Sequence, residues 1–140
     1  MTMPVISLEN GLDLFYRESG SGAKTLLLIH GNLASSRWWE RVIAALPEGY
    51  RVVAPDLRGC GDSTKPEWPG WSMADLAADL REFCAALGLS EITVVGHSLG
   101  GSLALQLAAD APGLVERAVV VNPGPLDGLQ FSDAQYAKLE

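Results

Sequence analysis

Metal- and disulfide-forming side chains are scarce in this sequence. Its 140 residues hold two cysteines, Cys60 and Cys84, and two histidines, His30 and His97. Their spacing suggests no zinc centre, and no metal or other cofactor is expected. A bridge between the two thiols is open, but nothing in the pattern requires one. Idle thiols in a reducing, cytoplasmic setting are the expectation. Positive charge is also short: 10 Lys and Arg against 17 Asp and Glu leave a net charge of −7. With no basic stripe, that balance argues against an electrostatic nucleic-acid binder. No apolar run approaches the roughly 20 residues of a membrane span. The opening Met1-Thr2-Met3-Pro4-Val5 has no basic region leading into a long apolar one. Neither a membrane partner nor a secretory leader is expected.

What is present is the content of one folded domain, 48% hydrophobic and 19% charged. Val5-Ile6-Ser7-Leu8 and Leu12-Asp13-Leu14-Phe15-Tyr16 flank Asn10-Gly11, a strong hairpin signal. Thr25-Leu26-Leu27-Leu28-Ile29 is a continuous apolar run, as in a strand buried on both faces. Trp38, Val42, Ala45 and Leu46 then recur at helical spacing, closed by Pro47 and Gly49. Arg51-Val52-Val53-Ala54 is the next strand. Ser72 and Asp75 form a capping box ahead of an apolar stripe through Leu76, Leu80, Phe83, Cys84 and Leu87. Ile92-Thr93-Val94-Val95 and Ala118-Val119-Val120-Val121 complete six strands. Strands alternating with helices predict an α/β fold, a mostly parallel sheet with helices on both faces.

The five residues Gly96-His97-Ser98-Leu99-Gly100 carry the chemistry. Gly-x-Ser-x-Gly alone turns up by chance about once in twenty chains of this length, so its context decides. Here it follows a strand and precedes the helix-like Gly101-Ser102-Leu103-Ala104-Leu105-Gln106-Leu107-Ala108. A strand, a sharp turn and a helix with serine at the apex are what a nucleophile elbow requires. Ser98 is then expected at a strained backbone position, projecting its hydroxyl off the carboxyl end of a strand. Beneath it lies a helix N-terminus, whose amides and dipole favour a developing anion.

Three motifs in order resemble the N-terminal half of an α/β-hydrolase of the serine-nucleophile, esterase/lipase-like branch. They are His30-Gly31-Asn32, Asp56-Leu57-Arg58-Gly59-Cys60-Gly61-Asp62-Ser63, and Gly96-His97-Ser98-Leu99-Gly100-Gly101. The resemblance implies a truncated core of about six of the family's eight strands. It places 1–140 as the N-terminal part of a single domain, with 124–140 as the start of a cap. It implies Ser98 as catalytic nucleophile, with the backbone N–H groups of Asn32 and Leu99 as oxyanion hole. His30, Gly31, Gly96, His97 and Gly100 support them. The implied partner is a small acyl compound such as an ester.

Related dehalogenases and epoxide hydrolases carry Asp at the apex, and the dehalogenases use an asparagine at the position of Asn32 to help bind halide. Ser98 tilts the chemistry to acyl transfer and leaves the Asn32 side chain uncommitted. A relative of the dehalogenases with halide affinity at Asn32 stays as a further reading. His30 is expected to be a structural histidine bonded to backbone, and His97 to point away from the pocket. Asp56 and Arg58 are expected to brace the loop after the fourth strand. Trp38, Trp39, Trp68 and Trp71 are read as packing aromatics, an acyl-pocket role being open.

The family's triad runs Ser, acid, His in chain order, and no histidine follows His97. Asp127 lies near the position where a minority of members place the acid. Ser132 and Gln135 form a further capping box with a Phe131–Tyr136 staple, yet Glu140 ends the sequence about two turns later. A chain cut inside an element is the expectation, with weak or absent activity. The sixth strand is then expected to offer an apolar edge for self-association or for a partner.

Overall fold

A computed structural model describes residues 1–67 and 71–125. Six strands form one sheet: β1 (Val5–Ser7), β2 (Asp13–Ser19), β3 (Lys24–Ile29), β4 (Tyr50–Pro55), β5 (Ile92–His97) and β6 (Val115–Val121). Their spatial order is β1-β2-β4-β3-β5-β6. The β1–β2 and β2–β4 pairs are antiparallel, and β4, β3, β5 and β6 run parallel. The helices are α1 (Glu40–Ala45), preceded by a 3₁₀ turn over Ser36–Trp39, α2 (Met73–Ala86) and α3 (Leu99–Asp110). Trp68, Asp127 and the Phe131–Tyr136 helix signal lie outside the described residues.

Each element follows from its local chemistry. The hairpin closes through Gly11 N–H to Leu8 O at 3.0 Å and Leu8 N–H to Leu12 O at 2.7 Å. This is a three-residue loop rather than a two-residue Asn-Gly turn. The Ser72–Asp75 capping box forms in both directions at the start of α2, satisfying amides that a helix N-terminus leaves without partners.

The strict alternation of the central strands sorts their side chains into two cores. Leu27, Ile29, Val53, Ile92 and Val94 pack under α2 and α3 with Leu76, Leu80, Phe83, Leu103 and Leu107. Leu28, Val52 and Ala54 pack on the other face with Trp39 and Ile43. Phe83 meets Tyr16 edge-on, with centroids 5.1 Å apart, an arrangement worth about 1 kcal/mol beyond its area.

One sequence expectation is corrected here. Of the stripe Trp38, Val42, Ala45 and Leu46, only Leu46 packs against the core: Trp38 is 57% exposed and Val42 43%, and Ala45 is exposed. Trp39 and Ile43 are buried instead. The segment opens as a 3₁₀ turn, with three residues per turn rather than 3.6. The set Trp39, Ile43 and Leu46 has the same four-then-three spacing one residue on, so helical pitch alone does not choose between the two faces.

Among the described residues the sixth strand is an edge, as expected. All three valines are exposed, Val119 by 48%, Val120 by 37% and Val121 by 43%. Register places Val119 and Val121 beside Val95 and His97, on the sheet face of α1.

Candidate active site

Ser98 stands between the last residue of β5 and the first of α3 with φ 53° and ψ −120°. A side chain rarely adopts this conformation, at a cost of about 1–3 kcal/mol. Backbone bonds on all sides hold it. Ser98 N–H donates to Val121 O at 3.0 Å, and its carbonyl accepts from Gly101, Ser102 and Gly124 N–H at 2.8, 3.2 and 3.3 Å.

The glycines flanking Ser98 allow the chain to close this tightly. A Cβ on Gly96 would lie 2.0 Å from Gly100 O, and one on Gly100 would lie 2.2 Å from Ile29 O and 2.5 Å from His30 O. The start of α3 thus sits against the end of β3. Leu99 opens α3, so its N–H is among the amides that a helix leaves without an intrahelical acceptor.

The end of β3 brings His30, Gly31 and Asn32 to the same place. Gly31 is buried, and a Cβ there would come 3.2 Å from Ser98 Cβ and 3.1 Å from His97 Nδ1. Asn32 is exposed, and its side-chain Oδ1 accepts from Leu33 N–H at 3.1 Å. Leu33, with φ 54°, is 94% exposed.

His30 is fully buried. Its Nδ1 lies 2.7 Å from Gly31 O, and its Nε2 accepts from Leu57 N–H at 3.0 Å. With Nε2 accepting, the proton belongs on Nδ1, a neutral tautomer assigned from these bonds. Burial pushes the imidazole below the ordinary histidine value, against the smaller opposing effects of the Gly31 bond and the Asp56 charge.

The loop after β4 anchors this corner. Asp56, 1% exposed, accepts from Ser36 N–H at 2.6 Å and Asp62 N–H at 2.8 Å. Arg58 Nε and Nη2 each reach the Asp79 carboxylate at 2.6 Å, and Asn10 Nδ2 adds a bond to Asp79 Oδ1 at 2.8 Å. Hydrogen bonding to Asp79 raises the Arg58 pKa above its usual value. Both residues brace the loop, as the sequence suggested. Their partners, Ser36 and Asp79, were not foreseen, because contacts this far apart in the chain leave no mark on local periodicity.

His97 shares a sheet face with Val95, and its ring stacks on Trp38 with centroids 5.0 Å apart and planes at 18°. Trp39 belongs to the core under α1 and Trp71 packs against the core under α2. Cys60 and Cys84 are free thiols, and burial pushes Cys84 up to about 12. A concavity of about 440 Å³ lined by Gly20, Gly22, Leu46 and Tyr50 opens at the amino end of β4, the opposite end of the sheet from Ser98.

This geometry has known counterparts. Residues 24–139 match the family model of the alpha/beta hydrolase fold. The chain belongs to the α/β-hydrolase family. Among its relatives, a soluble epoxide hydrolase of Corynebacterium sp. (strain C12) is 43% identical over 83% of this chain and 40% of its own length. A non-heme chloroperoxidase of Kitasatospora aureofaciens is 34% identical over 88% of this chain and 45% of its own. The crystal structure of a hydrolase from Pseudomonas aeruginosa PA01 superposes with a TM-score of 0.84 at 30% identity, covering 98% of this chain and 51% of that one. The chain therefore spans less than half the length of these two curated relatives. No helix among its described residues is long and apolar enough to cross a membrane.

Proposed function

We propose that these residues form the nucleophile-bearing part of a serine hydrolase acting on small esters or related acyl compounds. The observation that carries this reading is the backbone of Ser98, at φ 53° and ψ −120° between β5 and α3, held by four backbone bonds. Strain fixed this firmly at one exposed-end serine points to function.

In the proposed reaction Ser98 Oγ attacks the acyl carbon and its proton passes to a base. The tetrahedral oxyanion takes hydrogen bonds from Asn32 N–H and Leu99 N–H, and the leaving alkoxide collects the proton. Water then cleaves the acyl-enzyme by the same steps. His30 is not that base, since both of its nitrogens are bonded to backbone, and His97 is turned to Trp38. The base comes from outside the described residues. Opening an epoxide or displacing halide by alkylation calls for a carboxylate at the apex, which favours acyl transfer here over the reaction named for the epoxide hydrolase relative.

The test is hydrolysis of a short activated aryl ester, with imidazole buffer as the external base, by the wild-type chain beside Ser98→Ala. Turnover that vanishes in the variant supports the reading, and equal turnover in both ends it.

The exposed Val119, Val120 and Val121 favour a second reading, in which β6 pairs with another strand as an interaction module. Gel filtration checks this: a monomer over the whole concentration range removes it.

A further inference from the structure

We infer that His30 is a positioning residue that sets the plane of the Gly31–Asn32 peptide, and through it the direction of the Asn32 N–H. The inference rests on the reading of that N–H as an oxyanion donor and deepens it. Gly31 O and Asn32 N–H belong to one peptide unit. In a trans peptide the carbonyl and the N–H point in opposite directions within a single plane. His30 Nδ1 lies 2.7 Å from Gly31 O. Holding that oxygen toward the buried ring turns the Asn32 N–H away from the ring, while the Gly31 backbone rests against Ser98.

The ring can do this because it is itself fixed. Its Nε2 accepts from Leu57 N–H at 3.0 Å. That bond keeps the proton on Nδ1, where the Gly31 carbonyl needs a donor. The other end of the same loop is tied beside it, through Ser36 N–H to Asp56 Oδ1 at 2.6 Å. The segment from His30 to Ser36 is thus clamped at both ends to two consecutive residues, Asp56 and Leu57. Asn32 and Leu33 between them are exposed, so the clamp at the ends, rather than packing of the tip, defines the path.

The two jobs of His30 separate by substitution. An asparagine amide N–H falls near the Nδ1 position and can donate to Gly31 O. A glutamine carbonyl falls near Nε2 and can accept from Leu57 N–H. In ¹⁵N-labelled protein, His30→Asn should leave the Asn32 amide resonance at its wild-type position and move that of Leu57. His30→Gln should do the reverse. With the activated aryl ester in imidazole buffer, which supplies the general base, His30→Asn should stay within about threefold of wild-type kcat. His30→Gln should lose about 100-fold in kcat at nearly constant KM, the scale of a misplaced catalytic donor.

An Asn32 resonance unmoved in His30→Gln, or a kcat kept by Gln and lost by Asn, overturns the assignment. The amide readout needs no turnover. If the resonances divide as described while Ser98→Ala leaves esterase activity unchanged, the positioning of the peptide stands and the serine-hydrolase reading falls.

Discussion

Two runs of this chain are nearly the same in composition and opposite in circumstance. Ile92-Thr93-Val94-Val95 in β5 and Ala118-Val119-Val120-Val121 in β6 are both short, β-branched and uncharged. The first lies between β3 and β6, with Ile92 and Val94 fully buried. The second lies at the sheet edge, with its three valines 37–48% exposed. Both runs favour strand, and position in the sheet assigns burial. The site draws on both circumstances. His30 and the loop that follows it are held by bonds to the residues just after the end of β4, Asp56 and Leu57. Ser98 is tied to α3 through Gly101 and Ser102 N–H, and to the edge strand and the loop after it through Val121 O and Gly124 N–H.

The largest effect that sharpens this contrast should come from the tie beneath the site loop. Asp79 is 2% exposed and takes both forks of Arg58. Asp79→Ala leaves a largely buried guanidinium without its partner, which should cost about 3–5 kcal/mol in urea denaturation. A smaller loss breaks the contrast between the strands directly. Val94→Ala opens a cavity at a fully buried position and should cost about 2 kcal/mol.

Acidity supplies a third probe. Because burial depresses the His30 pKa, the unfolded chain binds a proton where the native one does not. The stability from this group is full above its unfolded pKa of about 6.5 and is lost as pH falls toward the folded value. Denaturation midpoints measured downward from pH 7.5 should therefore fall, and His30→Asn should show a shallower decline over the same range. The smallest effect belongs to the edge. Val119→Lys should change stability by less than about 0.5 kcal/mol while weakening any self-association seen by sedimentation, since a lysine blunts an open strand.

Much of this was legible in the residues. Continuous apolar runs marked the central strands, Ser72 and Asp75 marked the start of α2, and Gly-x-Ser-x-Gly between a strand and a helix marked the sharp turn at Ser98. Two things were not. The apolar face of α1 runs one residue on from the stripe that periodicity picked, so Trp39 and Ile43 are buried where periodicity pointed to Trp38 and Val42. The partners of the polar residues were hidden as well. Asp56 and Arg58 read as braces, but nothing local tells that they hold Ser36 and Asp79, or that His30 reaches Leu57. Such pairings are products of the sheet order, which brings the ends of β3 and β4 side by side.

The central claim is that Ser98 accepts an acyl group at a site already formed. Its most direct test is to incubate the chain with an activated aryl acetate in imidazole buffer, which supplies a general base, and to map the adduct by mass spectrometry. The account predicts an acetyl group on the peptide carrying Ser98, absent in Ser98→Ala and slower to form in His30→Gln. Acetylation spread equally over wild type and Ser98→Ala, with none at Ser98, would contradict it.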